Sequence, residues 1–553
     1  MGRYLVEPFD HSDRYATERY QGAEGRNWWR CDPTLQLLMR RRLGEGHAWA
    51  EPHLDRLGAL MGGLVARSAE ETDRNPPRLE KYDKWGRDVS QVVMPPSFHA
   101  ARDALMADNF ISPAFAEQAR AHGADPAALG AAWTYLLDQA DIGMGCALGT
   151  GGDMVVSLAE KHAPADVRDR VREIFANGFY SGEAAQMFTE RTGGSDLAAL
   201  ETAATPAGDA WLVTGLKWFA SNADGSAFVV LARLPEGAVA PFLVLWERRD
   251  GSRNGVRIRR LKDKLGTRSV ASAEVEFTGA EAFLLAGPGS GSGSGLGTMM
   301  KLTNASRLGV AMMGVGVARR ALVESICYAA TREAFGRPLI EQPLMRRKLG
   351  ELIVEVEAAQ AMVFDGHLGP RLRLGPALIK LRASRLGVTA ASDAIEAHGG
   401  NGYIEQWPVA RLLRDAQVNP IWEGGDNILC LDVRRAMEKE QAHLPFLAHL
   451  RTLATSDLVR TRIEDLAKAV EVWSSLDRAT AEARLYPLAQ FMADVYAAAL
   501  LEDQATWGLD DARKSLVARL YTETHLTDPG PLRGLDRPAT DPFDTLLAGA
   551  VTL

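Results

Sequence analysis

A single carboxylate, that of Glu423, stands in a setting that could make it a base. It follows Ile421 and Trp422 and precedes a Gly-Gly pair. Bulky apolar neighbours keep water away from a carboxylate, which raises its pKa and makes it a better proton acceptor near neutral pH. The arrangement therefore predicts proton abstraction by Glu423. A structural alternative is that Glu423 caps the helix that we expect to start near Asp426, a common use of acidic residues.

Two further segments carry groups that can hold a flat, polar ring. One runs from residue 187 to residue 196 and places Thr189, Gly194 and Ser195 in a turn, and the other ends in Trp218. Hydroxyls and backbone groups hydrogen-bond a heterocycle, and an indole ring stacks on one. Considered alone, the turn is equally well explained as a surface loop, and a lone tryptophan is more often a core residue.

Composition narrows the classes of function. The 553 residues are enough for several domains, and the formal net charge of −8 argues against sequence-independent binding to nucleic acid or to an anionic membrane. The four cysteines form no CxxC pair and the histidines no HExxH motif, so we expect neither disulfides nor a metal site. A polar N-terminus without a long apolar run predicts a cytoplasmic protein that does not span a membrane.

Hydrophobic periodicity divides the chain into five segments. Helical spacing gives way to short apolar runs in the middle of the chain, such as the alternating run at residues 273–277, and then returns. The predicted fold class is α+β, mainly α: an N-terminal helical domain, a central β-barrel or sandwich, and a C-terminal helical bundle with a helical extension. We expect irregular structure after Asp528. The predicted boundaries are 1–180, 181–286, a flexible Gly/Ser linker at 287–298, 299–440 and 441–553.

Several motifs closely resemble those of the acyl-CoA dehydrogenase family of flavoenzymes. They are the loop TERTGGSD, the strand end GLKWFASN, the turn REAFGRP and the segment VNPIWEG, at residues 189–196, 215–222, 332–338 and 418–424. The resemblance implies FAD as cofactor, an acyl-CoA substrate and Glu423 as catalytic base. The residues that it implies for FAD binding are Met187, Thr189, Gly194, Ser195, Trp218, Ala220, Ser221, Arg332, Phe335, Gln342, Glu396, Gly399, Gly400, Gly424 and Asn427.

Two positions depart from the family pattern. Ala220 replaces the usual flavin-contacting threonine, a role for which Ser221 could substitute. Glu396 replaces a glutamine that, in relatives, contacts the cofactor of the neighbouring protomer together with Gly399 and Gly400. A cofactor shared in this way implies a homo-oligomer, and the family pattern favours a tetramer.

The position of the base differs between branches of the family. In some branches a carboxylate on an earlier helix precedes an arginine, and here the corresponding pair is Ser306-Arg307. Glu423 is therefore the matching candidate. The reaction implied by the resemblance is α,β-dehydrogenation to a trans-2-enoyl thioester, with the electrons passing to an electron-transfer flavoprotein.

Details of the sequence favour the AidB-type branch, named for a bacterial protein of the DNA-alkylation response. These are NPPRL at residues 75–79, LKDKLG at residues 261–266, and the helical block after residue 440. In the namesake that block is associated with DNA binding, so the alternative function is a DNA-associated flavoprotein with little turnover. Between residues 441 and 553, however, eleven Lys/Arg stand against sixteen Asp/Glu, a balance of −5 that opposes phosphate neutralisation. We therefore expect a dehydrogenase and regard DNA binding as disfavoured.

Overall fold

The chain folds into two compact units. The computed structural model describes residues 22–107, 110, 112–149, 152–176, 184–285, 292–533, 535 and 541–552. The first unit consists of Met1–Arg67, His122–Ala140 and Val310–Leu553, and the second of Ser68–Ala121 and Asp141–Gly309. Both units are assembled from segments that are distant in sequence. The domain boundaries expected from periodicity remain predictions.

The second unit contains an antiparallel hairpin that periodicity did not predict. Strands β1 (Arg78–Tyr82) and β2 (Asp88–Val93) pair within the segment that we expected to form the N-terminal helical domain. Lys81 fixes this hairpin to the rest of the unit, because its ammonium donates to the carbonyl of Ile258 at 2.7 Å and pairs with Asp88.

A closed β-barrel forms the centre of the second unit. Strands β4 to β7 and β9 form a ring, in which β5 pairs with β4 and β9, β7 pairs with β9 and β6, and a parallel bridge from Ala203 to Arg233 joins β4 to β6. Strand β3 is parallel to β6, and β8 is antiparallel to β9. The seven strands are β3 Ala184–Met187, β4 Ala203–Ala207, β5 Ala210–Ala220, β6 Ala227–Arg233, β7 Val239–Leu245, β8 Val256–Leu261 and β9 Ala273–Leu284.

Alternation along these strands explains the barrel core. Val213, Phe228, Phe242 and Phe277 point inward and are buried in one cluster, as a side-chain period of two requires. The central β domain expected from the sequence is confirmed in the barrel form. The helices of this unit are Pro96–Ala107, Pro113–Ala121, Ile142–Gly149, Gly152–His162 and Ala165–Ile174.

Helices build the first unit. Their apolar faces supply its core, as the 3.6-residue periodicity predicted. They are Pro33–Leu43, His47–Leu60, Pro126–Ala140, Pro343–Leu368, Gly375–His398, Pro408–Ala416, Asp426–Glu440, His443–Leu453, Asp457–Ser474, Arg478–Ala483, Leu485–Gln504, Asp511–His525 and Phe543–Ala550. Two further helices, Ala66–Arg74 and Ser292–Thr331, run across the division between the units. A short pairing of β10 (Glu333–Ala334) with β11 (Arg337–Pro338) completes the first unit.

The structure corrects two expectations about irregular segments. Residues 292–298, expected to be linker, are the first turns of the 40-residue helix Ser292–Thr331, and residues 287–291 lie outside the described ranges. Glycine costs a helix about 1 kcal/mol per residue, and here propagation from the long apolar stretch that follows outweighs that cost. Beyond Asp528, residues Phe543–Ala550 are helical and bury Phe543 and Leu546.

The C-terminal extension is part of the first unit rather than an appendage. Arg513 and Lys514 of the extension pair with Glu357 of the helix Pro343–Leu368, and all three side chains are buried. Arg319 is also fully buried and donates to the carbonyls of Cys31 and Ala550, both at 2.8 Å. No helix within the described ranges is long and apolar enough to cross a membrane.

Candidate active site

The turn after β3 brings together three of the residues expected at a flavin. A two-residue hairpin closes between Glu190 and Gly193, whose main-chain groups exchange two hydrogen bonds of 3.1 Å. Gly194 follows, and a Cβ there would lie 2.8 Å from the Thr189 hydroxyl. Ser195 is exposed beside it. Only glycine at position 194 leaves room for the Thr189 hydroxyl in this turn.

A buried ion pair supports this turn from inside the barrel. Lys217 of β5 lies 2.6 Å from Glu190, and the exposed fractions of the two side chains are 0% and 2%. Glu190 also accepts hydrogen bonds from the backbone amides of Glu201 and Thr202. Burial lowers the pKa of Lys217 to about 8, an effect that its contact with Glu190 opposes. Burial acts to raise the pKa of Glu190, but the hydrogen bonds from Lys217 and Thr202 outweigh it and leave that pKa low.

Trp218 lies beside the turn and carries a cation on its ring. Its backbone N–H donates to the carbonyl of Thr189 at 2.8 Å, which ties the end of β5 to the turn. The ammonium of Lys262 lies 3.2 Å from the Trp218 ring centroid. Glu274 of β9 is mostly buried and accepts a 2.7 Å hydrogen bond from Lys262. The guanidinium of Arg260, also paired with Glu274, lies farther from the ring at 5.8 Å.

Three other residues of the predicted flavin set lie next to or inside the barrel wall. Met187 and Ala220 are fully buried in the barrel core. Their side chains therefore do not reach the barrel surface. Ser221 is half-buried and shares a 3.3 Å hydrogen bond with Ser272.

In the first unit, the β10–β11 hairpin brings Arg332, Phe335 and Gln342 together. The side-chain amide of Gln342 donates to the carbonyl of Ala334 at 3.0 Å and accepts from Arg337 at 3.2 Å. Phe335 occupies the tip in the left-handed region, with φ 54°, and is 96% exposed. Arg332 is exposed where the helix Ser292–Thr331 ends. The Arg332 guanidinium and the Phe335 ring are thus exposed at a hairpin that the side chain of Gln342 stabilises.

The glycine-rich turn follows the helix Gly375–His398. Gly399 ends that helix with φ 60°, and it and Gly400 are exposed. Glu396, one turn earlier, pairs with Lys348 at 2.5 Å although its side chain is 72% exposed. Glu396, which stands where the family has a glutamine, is therefore paired with Lys348, which neutralises part of its charge.

Glu423 lies in a turn whose backbone is strained. Its φ of 56° is in the left-handed region, which is uncommon for a residue with a long side chain. The residue is half-buried, and Gly424 follows with φ 98°. The N-cap position of the next helix, Asp426–Glu440, is Gly425, so Glu423 stands two residues before the N-cap. Asn427 is exposed in the first turn of that helix.

Three lysines near these residues were not predicted as parts of the site. Lys217 could have been found, because it continues the inward phase of β5 set by Val213, where a lysine is unexpected. Lys380, which donates to the carbonyl of Gly424 at 2.7 Å, interrupts the apolar run ALIKL. Lys262 gave no such signal, because its contact with Trp218 arises from the pairing of both β5 and β8 with β9.

Family models match three consecutive parts of the chain. The AidB N-terminal domain of the adaptive response protein matches residues 20–174, the acyl-CoA dehydrogenase middle domain matches residues 185–280, and the acyl-CoA dehydrogenase C-terminal domain matches residues 293–438.

Curated proteins and solved structures agree with these models. The putative acyl-CoA dehydrogenase AidB of Escherichia coli is 33% identical over 420 residues, which are 72% of this chain and 76% of that protein. The structure of Caenorhabditis elegans ACDH-11 in complex with C11-CoA superposes with a TM-score of 0.82 at 25% identity, covering 92% of this chain and 93% of that one. The Bacillus anthracis acyl-CoA dehydrogenase complexed with FAD shares the fold, with a TM-score of 0.64 at 18% identity over 82% of this chain and 85% of that one.

Proposed function

Because this chain belongs to the acyl-CoA dehydrogenase family, we propose that it is an FAD-dependent dehydrogenase that converts an acyl-CoA into its trans-2-enoyl thioester. The observation that carries this proposal is the setting of Glu423. The carboxylate belongs to a half-buried residue in a strained turn, directly after the half-buried Trp422 and two residues before the N-cap Gly425. Residues other than glycine that adopt strained backbone conformations persist only where the surrounding structure holds them, and they cluster at active sites.

Glu423 acts as the base in this proposal. It takes the α-proton of the thioester, and bound FAD supplies the acceptor for the β-hydride. The C–H electron pair left at Cα forms the new double bond as the β-hydride leaves, so atoms and electrons balance. Trp422 shapes the turn, because its indole N–H donates to the buried Asn419 at 3.2 Å.

In each unit, considered by itself, residues suit a part of FAD. In the second unit, Gly194 leaves a cradle that a Cβ would fill, Thr189 and Ser195 present hydroxyls, and Trp218 presents a half-buried ring. In the first unit, the exposed guanidinium of Arg332 suits a diphosphate, which arginine binds bidentately. Further FAD contacts proposed on the family pattern are Ser221 and the main chain of Met187 and Ala220 in the second unit, and Phe335, Gln342, Glu396, Gly399, Gly400, Gly424 and Asn427 in the first unit.

The partners and setting follow from the same proposal. Electrons would leave to an electron-transfer flavoprotein, and a homotetramer would complete each cofactor site with residues of a neighbouring protomer. The exposed aromatic side chains of Phe335 and Tyr403, 96% and 86% exposed, support such an interface. The four cysteines lie within the described ranges, are buried and form no disulfide there, as suits a cytoplasmic protein.

A DNA-associated role is the alternative, because AidB is among the relatives. The charges of the C-terminal extension weigh against it. At least seven of its eleven cations form ion pairs with carboxylates of the protein, which leaves fewer of them to neutralise phosphates. These are Arg451, Arg460, Arg462, Arg478, Arg513, Lys514 and Arg519.

Anaerobic titration with a panel of acyl-CoAs tests the dehydrogenase proposal. We expect the purified protein to carry FAD and at least one acyl-CoA to bleach the flavin within one turnover. A flavin that no acyl-CoA in the panel bleaches, together with tight duplex binding at physiological salt in a gel shift, would favour the DNA-associated alternative.

A further inference from the structure

A lysine buried in the first unit contacts the turn that carries the proposed base. Lys380 belongs to the helix Gly375–His398, and its side chain is fully buried. Its ammonium donates a 2.7 Å hydrogen bond to the carbonyl of Gly424. Burying an ammonium is costly unless hydrogen bonds replace its hydration. A lysine in this place therefore indicates that its contact with the turn has a use that an apolar residue could not supply.

The contact falls at a turn whose backbone is strained. Gly424 follows Glu423 directly, and both have positive φ values, 98° and 56°. A left-handed glutamate costs on the order of 1–3 kcal/mol and persists only where surrounding contacts hold it. The peptide carbonyl that Lys380 holds is that of the residue next to the strained one, so the hydrogen bond resists rotation of the turn.

The same helix also holds the far side of the turn. Arg385, five residues after Lys380, pairs with Asp426 at 2.7 Å, and Asp426 opens the helix that follows the turn. Asp426 is mostly buried, whereas Arg385 is half-exposed. The turn is thus fixed at Gly424 and at Asp426 by two cations of one helix, and Lys380 is the one adjacent to the base.

We propose that Lys380 is a positioning residue that orients Glu423 for removal of the α-proton. The inference rests on the proposed function, in which Glu423 is the base. Lys380 holds the peptide between Gly424 and Gly425, so it restrains Gly424 and, through it, the direction in which the Glu423 carboxylate leaves the backbone.

The experiment separates deprotonation from redox turnover. It measures exchange of α-protons for deuterium, by NMR, in a 3-thiaacyl-CoA, which has no β-hydrogen to lose as hydride. We expect Lys380→Met to keep its FAD content and thermal midpoint near those of the wild type while its exchange rate falls at least tenfold. The exchange rate should fall across the pH profile, and Lys380→Arg should restore part of the rate.

A matched control removes a cation that pairs with the helix after the turn, Asp426–Glu440, rather than with the turn itself. Arg373 pairs at 2.7 Å with Asp432 of the helix Asp426–Glu440, away from the turn. Arg373→Met should leave the exchange rate and its pH profile unchanged. If Lys380→Met does not fold, Lys380→Gln takes its place, since a neutral amide of similar size lacks the charge and the full reach of the ammonium.

The outcomes distinguish the two proposals. If the wild type exchanges α-protons and the folded Lys380 variant does so at least tenfold more slowly, the positioning role is supported. If the wild type exchanges α-protons and that variant shows the same rate and pH profile, the positioning role is overturned but Glu423 remains the proposed base. If the wild type bleaches with no acyl-CoA and exchanges no α-proton, the proposed function itself fails.

Discussion

The ammonium of Lys217 and the carboxylate of Glu190 form an ion pair of 2.6 Å that is closed to solvent inside the barrel, directly beneath the turn that contains Thr189. The pair joins strand β5 to that turn, and Glu190 also holds the backbone of residues 201 and 202. The turn proposed to bind the flavin is therefore anchored by charge as well as by packing.

Breaking this pair should destabilise the second unit. We expect Glu190→Gln to cost about 3–5 kcal/mol of unfolding free energy, because Lys217 would remain buried without a carboxylate. Replacing both residues, as in Glu190→Leu with Lys217→Met, should recover much of that loss, since no unpaired charge stays inside. Urea unfolding of the wild type, Glu190→Leu, Lys217→Met and the double variant measures the coupling. Additive losses would show that the two side chains do not interact in solution.

The cation on Trp218 should matter for cofactor binding. Lys262 lies 3.2 Å from the ring centroid and is held by Glu274, so it fixes the indole from one face. We expect Lys262→Met to weaken FAD binding by roughly tenfold, which matches a partly buried cation–π contact of about 1–2 kcal/mol. Equilibrium titration of the cofactor-free protein with FAD measures this affinity.

Arg260→Met is the matched control for Lys262. Arg260 shares Glu274 with Lys262, but its side chain is 63% exposed and its guanidinium lies 5.8 Å from the ring centroid. It should change FAD affinity less than Lys262→Met does. Equal losses in the two variants would assign the effect to Glu274 rather than to the ring contact.

Sequence patterns predicted the order of elements better than the contacts among them. Alternation located strands such as β9, and apolar periodicity located the long helices, because each pattern reflects burial of one face. The linker prediction was wrong at residues 292–298, because glycine content does not reveal a helix that propagates from neighbouring residues. The roles of Lys262 and Lys380 depend on residues far away in the chain, which local pattern does not encode. Glu423 could be proposed from its neighbours in the sequence, and that proposal stays a prediction. The strain of its backbone is visible only in three dimensions.

Acid should destabilise the contact between the extension and the helix Pro343–Leu368. Burial acts to raise the pKa of Glu357, but Lys514 and Arg513 outweigh it and lower that pKa from 4.5 to about 2. The carboxylate of Glu357 therefore binds a proton more readily in the unfolded chain than in the folded protein. Its contribution to folding stability is complete above its pKa in the unfolded chain, and it is lost as the pH falls towards its pKa in the folded protein. That shift corresponds to about 3 kcal/mol.

Urea unfolding at neutral and at successively acidic pH checks this dependence. Glu357→Gln should be less stable than the wild type at neutral pH and should lose less on acidification. Glu464→Gln removes a carboxylate from an exposed pair with Arg451 and should follow the wild-type curve closely. Parallel acid curves for the wild type and Glu357→Gln would contradict the assignment.

The most direct test of the account concerns Glu423 itself. The measurement is the anaerobic single-turnover rate at which the best acyl-CoA bleaches the bound flavin, in the wild type, in Glu423→Gln and in the exposed control Glu438→Gln. The account predicts equal FAD content in all three, rapid bleaching in the wild type and the control, and bleaching slower by about 10²–10⁴-fold in Glu423→Gln. Bleaching of Glu423→Gln at the wild-type rate would contradict the central claim that this carboxylate removes the α-proton.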